Sequence, residues 1–230
     1  MRAGSRQPGH ADPLVRHLRP SEMGALAALE RASWPRSLQA SEDKIRHRLG
    51  LGHDCIVAEV DNTLTCAACY VLTSQSPFKG TAFPTDFASF SSLPRAEPVI
   101  SSYVYSLCVR PEWRGHATVF RVLDRLLDAS RDAGARYLVA DGRCPSFNGV
   151  AEPGPDRVAR NPDFRSTIVR WQETGIRPTD EALMADPVLR FYKRYLRCRF
   201  LHLAPDFIPE DIASGGFRVI FAVDLGPSHG

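Results

Sequence analysis

Seven stretches of the chain carry the apolar patterning of β-strands. Residues 14–18 alternate apolar and polar side chains. Residues 55–60 and 64–72 are longer apolar runs, joined by Asp61-Asn62, a hairpin-turn dipeptide. Residues 100–109 give the strongest strand signal, with Tyr103, Tyr105, Leu107 and Val109 on one face. Residues 137–140 are short and wholly apolar, and 200–203 and 217–223 close the chain as two more strands.

Helical periodicity fills the spaces between them. Met23, Leu26, Ala27 and Leu29 form a stripe behind Ser21, a candidate cap, and Ser41 caps a shorter helix carrying Ile45 and Leu49. Val119, Val122, Leu123, Leu126 and Leu127 follow the i, i+3, i+4, i+7, i+8 pattern of an amphipathic helix, and Gly134 stands where a helix-ending glycine belongs. Asp186 and Pro187 open a last helix whose stripe is Val188, Phe191, Tyr192 and Tyr195. The strand–loop–helix–strand order over 100–140 is a βαβ unit, which calls for a parallel strand pair. The expected class is α/β, with a mixed central sheet flanked by helices. Residues 1–12 read as a disordered tail and 13–226 as one domain without internal repeats. Residues 74–98 read as a long flap rich in Ser, Pro and Phe. Residues 142–185 form an irregular insert with one helix around 166–173, and 205–216 read as a hairpin arm.

Composition narrows the function classes. At 43% hydrophobic and 24% charged over 230 residues, the chain is neither disordered nor collagen-like, and it can bury a real core. No run reaches the roughly 18 apolar residues of a membrane span. Residues 1–10 lack the apolar core of a secretory signal. A net charge of +3 gives no footprint for nucleic acid, and although 26 of the 29 basic residues are arginine, they form no cluster. Cys66-Ala-Ala-Cys69 has the spacing of a metal or redox pair. It lies in a strand, however, where residues three apart face opposite ways, and no second pair completes a zinc site. All six cysteines are therefore expected as reduced thiols in a cytoplasmic protein without a metal.

The chemistry concentrates in residues 107–119. A strand ends, Pro111 stops it, Gly115 permits tight backbone, and a helix begins with Ala117 and Thr118, small or polar where a ligand would lie. The first N–H groups of a helix lack internal partners and its dipole is positive there, so the turn suits a phosphate. It equally fits an ordinary βα turn. It is not a Walker loop, since no Gly-Lys-Ser/Thr follows.

The pattern Val109-x-Pro111-x-x-Arg114-Gly115-x-Ala117 before an apolar helix resembles the acyl-CoA pyrophosphate motif of the GNAT N-acyltransferase superfamily, Q/R-x-x-G-x-G/A, with Glu112 departing from its first place. Asp186-Pro-Val-Leu-Arg-Phe-Tyr192 resembles that superfamily's helix ending in Phe-Tyr before the final strands, and the order of elements matches from Leu14 to Val223. Ser33-Trp-Pro-Arg-Ser-Leu38, Ile45-Arg-x-Arg48 and Gly142-Arg-Cys-Pro further resemble GNAT-like loading domains of polyketide synthases and GNAT domains fused to carbon–nitrogen hydrolases. Such loading domains decarboxylate malonyl-CoA and pass acetyl to an acyl carrier protein, using a His after Arg-Phe and a Thr at the end of the fifth strand. Here Tyr192 and Gly142 stand in those places.

The resemblance implies a GNAT fold and transfer of a short acyl group from acetyl-CoA or another acyl-CoA, by direct attack within a ternary complex. The acceptor it implies is a small-molecule amine, in a natural-product setting. An acyl carrier protein is the alternative acceptor, and a non-catalytic CoA-binding module the alternative of another class. It places the cofactor on Arg114, Gly115, His116, Ala117 and Thr118, and sets the thioester carbonyl against a backbone N–H of Leu107, Cys108 or Val109, a minimal oxyanion hole. Tyr192 would protonate the departing thiolate, a transfer uphill by about 2 kcal/mol from unperturbed values. On the residues alone Tyr192 also reads as a core aromatic, His116 as solvent-facing and Cys108 as a buried thiol. Asp141 and Arg143, ending the fifth strand, and Trp171 in the insert are candidate acceptor contacts. Phe78, Phe83, Phe87 and Phe90 either line a pocket or pin the flap.

Overall fold

A computed structural model describes residues 12–78, 84–149 and 158–226. Residues 1–11 of the tail expected at 1–12, Phe83, and parts of the flap and insert lie outside the described residues. The expected strands form β1 (Leu14–His17), β2 (Asp54–Val60), β3 (Thr63–Thr73), β4 (Ser101–Val109), β5 (Tyr137–Arg143), β6 (Arg199–Ala204) and β7 (Arg218–Asp224). They make one sheet in the order β1-β2-β3-β4-β5-β7-β6. Only β4 and β5 pair in parallel, as the βαβ order requires. Asp61 and Asn62 both take positive φ, which closes the β2–β3 hairpin.

Helices cover both faces of the sheet. On one side α1 (Met23–Ser33), α2 (Glu42–Gly50) and α3 (Phe87–Phe90) pack over Val57, Val71, Tyr103 and Ile220. On the other, α4 (Thr118–Asp132), α5 (Pro162–Thr174), α6 (Asp180–Leu183) and α7 (Pro187–Leu196) pack over Ile56, Tyr70, Leu138 and Phe221. Neighbouring residues of one strand alternate between the two cores, as the pleat demands. The cysteine pair splits accordingly: Cys66 faces the α4 side and Cys69 the α1 side.

Several details depart from the sequence reading. Ser21 is not a cap; it lies in a 3-10 turn, Pro20–Glu22, that leads into α1, and the Glu22 carboxylate reaches back to the Arg19 N–H at 2.9 Å. Ser41 and Asp186 do cap their helices. The arm expected at 205–216 is a folded loop that carries a buried Asp211 inward. In the flap, Phe90 is fully buried and stacked on Tyr103 at 4.9 Å, so it pins the segment to the core. β5 runs three residues further than expected, and Trp171 belongs to the core between α5 and the sheet.

The largest departure is in β4. Its pairing with β3 passes from Cys69↔Ser106 to Tyr70↔Val104, leaving Tyr105 as an extra residue, a β-bulge. One added residue reverses the alternation. Tyr103, Tyr105 and Cys108 therefore face the α1 side, whereas Leu107 and Val109 face the α4 side. The bulge also bends the strand. β4 pairs with β5 only from Ser101↔Tyr137 to Val104↔Ala140, and beyond that the two strands diverge.

Candidate active site

The divergence of β4 from β5 opens a cleft of about 1870 Å³. Its walls include Leu107, Val109, Gly115, Val119, Asp141 and Tyr192, so residues separated by more than 80 positions meet there. Arg110 donates its N–H to the Thr65 carbonyl at 2.9 Å, toward β3. Backbone groups alternate sides along a strand, so the N–H groups of Leu107 and Val109 turn toward the gap and that of Cys108 turns toward β3. Two of the three candidate carbonyl donors thus face the cleft, and Cys108 does not. Its side chain is fully buried on the other face, and burial pushes its thiol well above the ordinary range.

The turn after β4 has the expected shape. Gly115 adopts φ +81°, a conformation L residues rarely take, and nothing crowds the position of an added Cβ. α4 begins at Thr118 without a side-chain cap, whereas α2, α3, α5, α6 and α7 are capped by Ser41, Asp86, Asn161, Thr179 and Asp186. The positive end of a four-turn helix is therefore left for a ligand or water. Glu112 is exposed to solvent. Arg114 turns inward instead of toward that end. Its Nε donates to the Val109 carbonyl at 3.3 Å and its Nη2 to the Ser33 carbonyl at 2.9 Å, bracing β4 to α1. Burial, with Arg143 nearby, lowers its pKa. His116 is half-buried against Trp113, with ring centroids 5.2 Å apart.

Tyr192 enters from the α7 side. Its ring packs on Phe221 at 4.7 Å and Phe191 at 5.3 Å. Its hydroxyl has no hydrogen-bond partner among the described residues. Burial, with Asp141 next in weight, raises its pKa, so the phenol keeps its proton at neutral pH. Asp186 fixes the start of α7, accepting from Val188 and Leu189, while its second oxygen accepts from Ser146 N–H at 2.8 Å. Gly142 lies beneath this helix: a Cβ there would stand 2.7 Å from Leu189 Cδ2.

Asp141 and Arg143 lie on the opposite, α1-facing side of β5, and both border the cleft. Trp171 does not; at 5% exposure it fills the core with Phe164 and Ile168, because α5 turns its aromatic stripe toward the sheet. Of the flap phenylalanines, Phe87 borders the cleft and Phe78 packs on Tyr137 at 5.0 Å.

Three residues of the site were missed by sequence reasoning. Glu30 is buried and accepts from Ser106 Oγ at 2.8 Å and Cys108 Sγ at 3.1 Å. A carboxylate four residues after Leu26, on the apolar stripe of α1, was the available signal. Arg218 is a charge opening an apolar strand, and Asp211 lies in a loop with no signal at all. Among the described residues, no three His, Cys, Asp or Glu side chains gather as a metal site.

No family profile and no curated protein matches this sequence. Solved structures do. The loading GNATL domain of CurA from Lyngbya majuscula shares 18% identity at a TM-score of 0.69, over 94% of this chain and 98% of that one. The GphF GNAT-like decarboxylase in complex with isobutyryl-CoA shares 22% at 0.65, over 93% and 100%. An aminoglycoside 6'-N-acetyltransferase complexed with coenzyme A shares 12% at 0.56, over 93% and 99%. Identities this low speak to architecture, and the architecture is plain: the chain has the GNAT fold, a seven-stranded mixed sheet flanked by helices and parted between β4 and β5.

Proposed function

We propose that the protein is an acyltransferase that moves a short acyl group from acyl-CoA to an amine. One observation carries this reading. The uncapped start of α4, the cleft-facing N–H groups of Leu107 and Val109, and the unpartnered hydroxyl of Tyr192 converge on a single cleft. Gly115 and the first turn of α4 bind the pyrophosphate through backbone N–H groups. The β4 N–H groups hold the thioester carbonyl as negative charge grows on its oxygen. The amine attacks the carbonyl carbon, the C–S bond breaks, and Tyr192 gives its proton to the thiolate. Orientation within the ternary complex supplies much of the rate, and no covalent enzyme intermediate is required.

A second reading takes the acceptor to be the thiol of an acyl carrier protein, favoured by likeness to a loading domain and a GNAT-like decarboxylase. Decarboxylation itself fits poorly, since Tyr192 replaces the loading domains' His and Leu189 fills the space a Thr at Gly142 would need. The test is acetyl-CoA binding by calorimetry in Gly115→Ala and Gly115→Glu. Both strain the backbone at φ +81°, but only Glu adds a negative charge at the helix start. Affinity should survive largely in the first and collapse in the second. Equal affinities in folded variants refute the pyrophosphate site.

A further inference from the structure

The cleft has a second wall that the reading above leaves unused. On the α1 face of the sheet four charged side chains form one buried chain of ion pairs. Arg143 donates from Nε and Nη2 to the two oxygens of Asp211, at 2.8 and 2.7 Å. Asp211 also pairs with Nη1 of Arg218 at 2.7 Å. Arg218 donates from Nε to one oxygen of Asp141 at 3.0 Å and from Nη1 to the Phe217 carbonyl at 2.9 Å. Arg143 and Arg218 sit directly opposite each other in the β5–β7 register, where like charges repel. Asp211 bridges them. Burial opposes ionisation of Asp211, yet the two arginines outweigh it and hold its carboxyl down to about 2.

With Asp211 committed to both arginines, the chain ends at Asp141. One Asp141 oxygen is tied to Arg218. Among the described residues no other residue donates to the second Asp141 oxygen, and Asp141 borders the cleft. β5 alternation puts Asp141 on the α1 face, and Tyr192 comes from α7 on the other. The gap between β4 and β5 is thus bracketed by a tyrosine hydroxyl on one side and a carboxylate oxygen on the other. Trp34, its ring 5.3 Å from the Arg143 guanidinium, lines the same cleft on that side.

We propose that Asp141 is the catalytic base of the transfer, taking the proton of an acceptor ammonium that enters from the α1 face beside Trp34. The proposal rests on the acyl-CoA reading. The N–H bond of the ammonium breaks and its proton passes to the free Asp141 oxygen and on to solvent. The neutral amine forms the C–N bond as C–S breaks. The proton still on nitrogen replaces the one Tyr192 gave to the thiolate. Amide, free CoA thiol and one released proton result. Burial raises the Asp141 carboxyl to about 7, with Arg218 pulling the other way and Asp211 adding to the rise. The charged or titratable groups facing it are Arg218 and Asp211 around β7, Arg143 on β5 and Tyr192 on α7. A base titrating there is half-ionised near neutral pH, the range in which general bases work best.

The test compares two nucleophiles. A primary alkylamine arrives as the ammonium and needs the base; hydroxylamine is already neutral at neutral pH and does not. Free CoA released from acetyl-CoA is measured across pH for the parent, Asp141→Asn and Asp141→Glu, with acetyl-CoA affinity and melting temperature recorded for each. For the parent and the alkylamine, kcat/KM should rise toward pH 7 and level off above it, once the Asp141 carboxylate is formed. Asp141→Asn should lose roughly 10²–10³-fold with the alkylamine at neutral pH and should not level off, climbing on with the fraction of neutral amine, yet stay within a few-fold with hydroxylamine. Equal losses for both nucleophiles, or the same levelling near pH 7 in Asp141→Asn, overturn the assignment. If Asp141→Asn does not fold, Asp141→Glu, which keeps the charge one methylene out of place, should show the same selective loss with the levelling retained. Acetyl-CoA that fails to bind the parent refutes the acyl-CoA reading itself, and this proposal with it.

Discussion

Asp141 also offers a test on the folded protein alone. Its carboxyl titrates near 3.8 in the unfolded chain and is raised to about 7 in the fold, chiefly by burial at 8% side-chain exposure. Between those values the unfolded chain has lost the proton and the native state still holds it. The native state therefore binds more protons, and stability falls as pH rises through this window, by about 1.4 kcal/mol per pH unit. Over roughly three units the loss is about 4 kcal/mol. Asp141→Asn keeps the oxygen that accepts from Arg218 and removes the titration. Urea denaturation of parent and variant at a series of pH values isolates this one group, because the groups coupled to it titrate outside the window: Tyr192 is raised above it, and Asp211, with its depressed carboxyl, loses its contribution only below about pH 4. The parent should be less stable relative to the variant at mildly alkaline pH than at acid pH, with most of the change complete by neutrality. A parent-minus-variant difference that stays flat across the window refutes the raised carboxyl and weakens the case for Asp141 as base.

Tyr192→Phe keeps the ring packed on Phe221 and removes only the hydroxyl, so turnover should fall 10²–10⁴-fold while CoA affinity and melting temperature barely move; turnover within a few-fold of the parent returns Tyr192 to a packing role. Gly142→Ala places a methyl 2.7 Å from Leu189 Cδ2 and 3.3 Å from the Val219 carbonyl, and should cost about 1–3 kcal/mol by urea denaturation. An unchanged midpoint would mean that α7 shifts freely over β5.

Much of this architecture was legible because its determinants are local. The α4 stripe, the Asp61-Asn62 hairpin and the caps at Ser41 and Asp186 each depend on residues within a turn or two of one another. The parallel β4–β5 pair followed from element order. What was not legible depends on partners far away. The bulge at Tyr105 is defined only against β3, so alternation alone put Leu107 and Val109 on the wrong face. Asp141 and Arg218 are 77 positions apart, and Arg143 and Asp211 are 68 apart, so neither pair leaves a spacing to read. Trp171 sits on an amphipathic stripe that would serve a pocket or a core alike, and only packing decides. The motif resemblance places Arg114 in the pyrophosphate loop through its backbone, but says nothing of its side chain, which donates to the carbonyls of Val109 and of Ser33, 81 positions away.

The parted sheet also makes the molecule a two-piece object. β1 to β4 come from the first half of the chain and β5 to β7 from the second. Four residue pairs join the halves at β4–β5, against eight between β3 and β4 and seven between β5 and β7. This short line of backbone pairing, no longer than that of the edge strand β1 with β2, is also the dividing line of the sequence, with α4 as the covalent strap across it. The cleft lies on this seam, so a ligand filling it holds both pieces at once. Cut in the turn before β5, the protein would behave as two complementary fragments, and occupancy of the cleft would double as the clasp between them.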